Sequence, residues 1–101
     1  MIPCIEIAVF QVKEGSLEQA IALSKAIFSE MNALETVITD YQVLKKIDNP
    51  NELCWQLTWA NEGVAKETTQ KWPIFNSTKP FEDLVIKDLY YGHFQSTEAV
   101  S

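Results

Sequence analysis

The chain has one histidine, two cysteines, and eight basic residues against fourteen acidic ones. Each scarcity removes a class of function. Cys4 and Cys54 are too few for a disulfide framework, and their separation fits no zinc-binding spacing. Both read as small buried residues. A net charge of −6, with Lys45-Lys46 as the one adjacent basic pair, leaves no cationic footprint for nucleic acid. No apolar run approaches the roughly 20 residues that cross a bilayer, so no membrane association is expected. Met1-Ile2-Pro3-Cys4-Ile5-Glu6 has neither a basic region nor a long apolar stretch. No secretory leader is therefore expected, and residence is expected to be cytoplasmic. A nucleophile elbow, a phosphate loop, a dinucleotide fingerprint and HExxH are all missing, and no metal ligands cluster. No metal is expected.

What is present reads as one folded domain over residues 1–101, with an ordered core from about 2 to 95. Hydrophobic residues make up 47% and charged ones 22%, the balance of an ordinary globular chain. The most informative run is Leu53-Cys54-Trp55-Gln56-Leu57-Thr58-Trp59. Its strict alternation puts two indoles and two leucines on one face of a strand.

Around that run the elements follow in order. Residues 2–12 are β-branched and apolar, a strand with Pro3 tolerated only at its start. After Lys13-Glu14-Gly15, Ser16 and Gln19 have capping-box spacing, which predicts a helix start. Leu17, Ala20, Ile21, Ser24, Phe28 and Met31 share one helical face, widened by Leu23, Ile27 and Leu34. A second strand is expected from about 37 to 47, and Asn49-Pro50-Asn51 turns it back into the tryptophan strand as a hairpin. Asn61 is the expected cap of a second helix whose inner face carries Val64, Ala65, Thr68 and Trp72. Pro73 ends it. A short helix follows over 76–84, with Thr78 as cap, and a last strand spans about 85 to 95. The tail from Ser96 is polar.

Strand-helix-strand, turn, strand-helix-strand is the α+β, ferredoxin-like βαββαβ arrangement with a four-stranded antiparallel sheet. Two helices cover only one face of such a sheet. Yet the first strand is apolar on both, with Ile5, Ile7 and Val9 on one side and Cys4, Ala8, Phe10 and Val12 on the other. An uncovered apolar face predicts a homodimer in which two sheets join as a barrel.

The residues 5–15, the turn 48–52 and Leu57-Thr58-Trp59 opening into a helix resemble the dimeric α+β barrel superfamily. Within it they are similar to the antibiotic-biosynthesis-monooxygenase-like group, over about residues 2 to 95. The resemblance implies a pocket between sheet and helices and, in some members, oxidation of aromatic substrates without a cofactor. A tryptophan ending the third strand lines that pocket, and Trp59 matches it; Trp55 stands where those members have an asparagine. Haem-degrading relatives carry a pocket asparagine where Ala8 stands here, and a ligating histidine near the end of the second helix, which this chain lacks. No cofactor is expected.

Candidate site residues follow from chemistry. Glu6 is a carboxylate inside an apolar strand, and it must either reach water near the strand end or find a partner. The first and last strands are neighbours in this fold, so His93 can approach it, and a Glu6–His93 pair can act as a general base. Trp55, Trp59, Trp72, Tyr41 and Tyr91 are the candidate substrate-binding residues, either core or pocket wall. Together they fit a small aromatic ligand, and the concrete enzyme reading is cofactor-independent monooxygenation of a phenolic or quinol-like substrate. The alternative is a non-catalytic binding or stress-related barrel protein. Trp59→Ala is expected to weaken binding without unfolding the protein.

Overall fold

A computed structural model describes residues 2–98. Met1 and the end of the polar tail beyond Glu98 lie outside the described residues. Strand β1 (Cys4–Val12) leads to helix α1 (Leu17–Met31), then to strands β2 (Ile38–Lys45) and β3 (Glu52–Trp59). Helix α2 (Glu62–Gln70), a 3-10 turn (Trp72–Ile74), helix α3 (Thr78–Leu84) and strand β4 (Val85–Phe94) complete the chain. The strands form one sheet in the order β2-β3-β1-β4, every neighbouring pair antiparallel. This is the expected ferredoxin-like order.

Register decides which side chains meet. Cys4, Glu6, Ala8 and Phe10 face Trp59, Leu57, Trp55 and Leu53 across β1 and β3. On the other side of β1, Glu6 pairs with His93 and Ala8 with Tyr91. Paired residues share a face, so all of these lie on the side that the helices cover. Ile5, Ile7 and Val9 share the opposite face with Gln56, Cys54, Gly92 and Tyr90. No helix covers it. Leu44, Tyr90 and Phe94 are 39%, 47% and 49% exposed there, and the last two rings stack.

Helix α1 buries Ala20, Ser24, Ile27, Phe28 and Met31, a stripe at spacings of three and four. Ser24 is no defect in that stripe. Its hydroxyl donates to the Ala20 carbonyl at 2.7 Å and accepts the Trp55 indole N–H at 2.8 Å, so both polar groups are satisfied.

Four local expectations are corrected. Helix α2 ends at Gln70, so Trp72 and Pro73 belong to the 3-10 turn and Trp72 is not on the inner face of that helix. The Ser16 capping box does not form: Ser16 makes no side-chain cap bond. Its N–H closes the turn onto the Lys13 carbonyl, which holds its backbone at φ −104, ψ 3 instead of the extended geometry a cap needs. Leu34 does not widen the helical stripe; the helix stops at Met31 and Leu34 is fully exposed. The helix stops because Asn32 turns to the next strand, its amide bridging Ile38 O and the Val37 and Ile38 N–H groups at 2.9 Å. Thr78 is the first residue of α3 and not its cap; Ser77 precedes it without a side-chain cap bond, and the Thr78 hydroxyl ties back to the carbonyls of Trp72 and Phe75. Asn61 does cap α2, its side chain accepting from Val64 N–H at 2.9 Å.

Candidate active site

Between sheet and helices lies a cavity of about 240 Å³. Its walls are Phe10, Trp55, Leu57 and Trp59 from the sheet, Phe28 and Met31 from α1, Thr69 from α2 and Trp72 from the 3-10 turn. Glu6, Tyr91 and Asp88 supply further polar groups. Trp55 is the hub of the aromatic wall, with ring centroids 4.8 to 5.0 Å from Phe10, Phe28 and Phe81 and 6.2 Å from Trp72. It is 3% exposed, so it is core and wall at once.

Glu6 is the chemical centre. It is 3% exposed, so the pairing with His93 is what the fold realises and escape to water is not. Oε1 accepts the Trp59 indole N–H at 3.1 Å and lies 3.0 Å from His93 Nε2 and 3.4 Å from the Tyr91 hydroxyl. Tyr91 Oη and His93 Nε2 are 3.1 Å apart, which closes the triangle. All three contacts converge on one carboxylate oxygen. Among the described residues none hydrogen-bonds Oε2.

Tyr91 is held as a phenol. Partial burial, foremost, and then the Glu6 charge push its pKa up from the ordinary 10.0, although 55% of the residue stays exposed. The raised value means that the folded protein resists losing this proton, so its stabilising contribution is present at neutral pH and declines as pH climbs past 10. In an alkaline tyrosinate titration one step is expected above the ordinary range, and Tyr91→Phe should abolish that step. Persistence of the step in the variant would assign it elsewhere. Cys4 is buried as expected, but Cys54 is only half-buried. Both are likewise kept as thiols: burial first, then nearby carboxylates, raise Cys4 and Cys54 above 9.0. Neither is a ready nucleophile.

Glu6, Trp55, Trp59, Trp72 and Tyr91 are therefore brought to one cavity. His93 reaches it through Glu6, with 26% of its side chain exposed on the other side. Tyr41 is not brought there: it lies on β2, 40% exposed, its ring 4.9 Å from Phe28. Trp72 is fixed from outside by its indole N–H donating to Glu82. Trp59 is 1% exposed, which corrects the expectation for its alanine variant. Emptying such a site costs about 3–5 kcal/mol, a large share of the roughly 5–15 kcal/mol that holds a domain together. Trp59→Phe, which removes the N–H and keeps a ring, is the informative change.

The sequence did not point to Phe28, Met31, Phe10, Leu57, Thr69 or Asp88 as cavity residues. The first two were legible as helix-face residues only. Among the described residues no group of three His, Cys, Asp or Glu side chains is disposed to hold a metal. Among the described residues no helix is long and apolar enough to cross a membrane.

No family sequence model matches the chain, and no curated protein matches it in sequence. Solved structures do match in shape. A Chloroflexus aurantiacus protein described as a candidate antibiotic biosynthesis monooxygenase superposes with a TM-score of 0.79 at 12% identity, covering 98% of this chain and 97% of its own. SnoaB from Streptomyces nogalater, a cofactor-independent oxygenase, gives 0.80 at 11% identity over 99% and 98%. A conserved protein from Methanosarcina mazei Go1 gives 0.74 at 20% identity over 96% and 95%. At these identities the likeness establishes the fold alone. That fold is the one shared by the antibiotic-biosynthesis-monooxygenase-like proteins.

Proposed function

We propose that this chain is an oxygenase that needs no cofactor and oxidises a phenolic or quinol-like substrate of about two fused rings. The observation that carries this reading is Glu6, a buried carboxylate in an aromatic cavity with three contacts on Oε1 and Oε2 left over. An acceptor oxygen in an apolar space calls for a ligand with a hydroxyl to donate. Volume sets the size: a cavity of about 150 Å³ holds one benzene ring, so about 240 Å³ suits two fused rings. The likeness in fold to a cofactor-independent oxygenase supports the same reading.

The chemistry balances without a further reactant. Glu6 takes the phenolic proton and leaves an electron-rich phenolate. His93, 3.0 Å away and partly exposed, can pass that proton to solvent. The phenolate gives one electron to oxygen, and the resulting aryl radical and superoxide combine at the ring carbon opposite the oxygen. Protonation gives a hydroperoxide at a carbon still bearing hydrogen. Loss of water breaks the O–O and C–H bonds and leaves a quinone carbonyl. One oxygen atom stays in the product and one leaves as water. The aromatic walls exclude water from the anion and its radical.

For 1-naphthol the product is 1,4-naphthoquinone. Under labelled oxygen gas the quinone should carry one labelled atom, at a rate well above the protein-free blank. Label arriving from water instead, or no quinone above the blank despite saturable binding, would reduce the protein to a binding module.

The same account includes a homodimer through the helix-free face, because that face holds Ile5, Ile7, Val9, Tyr90 and Phe94 with no cover. Soluble monomers rarely leave a contiguous apolar surface of that kind open.

A further inference from the structure

The cavity that ends on Glu6 shares Phe10, Trp72 and Asp88 with an outer cavity of about 410 Å³. These three residues border both spaces. Asp88 reaches this border through a fault in register. Strands β1 and β4 pair with a constant offset from Ile5↔Phe94 to Val9↔Tyr90, and then Phe10 pairs with Asp88 and Leu89 drops out of the ladder. Unbroken alternation would set Leu89 opposite Phe10, on the cavity face. The bulge replaces a leucine with a carboxylate at that point and leaves Leu89 40% exposed.

Glu6 and Phe10 are four residues apart on β1, about 13 Å of strand. The cavity therefore carries one carboxylate near each end, with aromatic walls between. Among the described residues no lysine or histidine lines it; Lys87 lines the outer space only. Carboxylates only accept hydrogen bonds, so a ligand that satisfies both ends must donate at both. A ligand carboxylate would meet a like charge at either end, and among the described residues no lysine or arginine lines this cavity to offset it.

We infer that Asp88 is a specificity-determining residue: the cavity selects neutral two-ring hydroxyarenes with a hydroxyl at each end and turns carboxylated analogues away. One hydroxyl donates to Glu6 and the other to Asp88. The inference deepens the phenol-oxidising reading and rests on it for the ligand class.

Binding can be read from quenching of tryptophan fluorescence with three probes: 2-naphthol, 2,6-dihydroxynaphthalene and 6-hydroxy-2-naphthoate. The diol should bind roughly tenfold more tightly than the mono-ol, the effect of one charge-assisted hydrogen bond. The naphthoate should bind most weakly. Asp88→Leu, at an exposed position where folding is not at risk, should bring diol and mono-ol to equal affinity. Asp88→Asn should restore binding of the naphthoate. Equal affinity for all three probes in the unaltered protein, or an affinity order that both variants keep, overturns the proposal. Oxidation of 1-naphthol is a separate readout: its absence with the affinity order intact would remove the oxygenase reading and leave the selectivity standing.

Discussion

Glu6→Gln is expected to slow oxidation of 1-naphthol by roughly a hundred- to ten-thousand-fold, the range a positioned general base supplies. The loss should fall on kcat: with the glutamine oxygen kept toward the Trp59 N–H, which Glu6 Oε1 now accepts at 3.1 Å, the amide NH2 faces the ligand, where it can donate to the hydroxyl oxygen but take no proton. Folding should therefore survive, and a thermal melt close to that of the unaltered protein is the control. His93→Gln should give a smaller loss that added imidazole buffer recovers, because His93 moves the proton on from Glu6 and does not touch the substrate. If Glu6→Gln keeps full kcat, Glu6 is not the base.

A second large effect is expected on assembly. Light scattering should report about twice the 11.5 kDa chain mass at micromolar concentration. Ile7→Glu, at a half-buried position paired with Gln56 and Gly92, should reduce the mass to that of a single chain. A closed two-fold interface places that charge in the contact twice, and each unpaired buried charge costs several kcal/mol. The helix-side core should be untouched, since Ile7 points away from it. An unaltered protein that scatters as a monomer would remove the barrel. A dimer indifferent to Ile7→Glu would move the interface elsewhere.

The parts of this molecule that were legible in sequence are those governed by simple periods. Alternation from Leu53 to Trp59 assigned the tryptophans to one face, and the structure buries Trp55 and Trp59 there. Strand adjacency in the ferredoxin-like order was enough to bring His93 to Glu6, now 3.0 Å apart. What sequence could not show is where a period breaks. The Leu89 bulge shifts β4 by one residue, so Asp88 lies on the cavity face, which alternation from Tyr91 and His93 would assign to Leu89. Tyr41 satisfies the same parity as Leu57, its partner, but sits on the edge strand, too far across the sheet to reach the cavity. Ser16 has the residue type and spacing of a cap, and a neighbouring backbone turn takes away the geometry.

The most direct test of the central claim is oxygen stoichiometry with protein freed of metals by chelation and carrying no added cofactor. With 1-naphthol, one oxygen molecule should be consumed for each 1,4-naphthoquinone formed, with no accumulation of hydrogen peroxide. Uptake no faster than the protein-free blank, or peroxide appearing mole for mole with quinone, would contradict it.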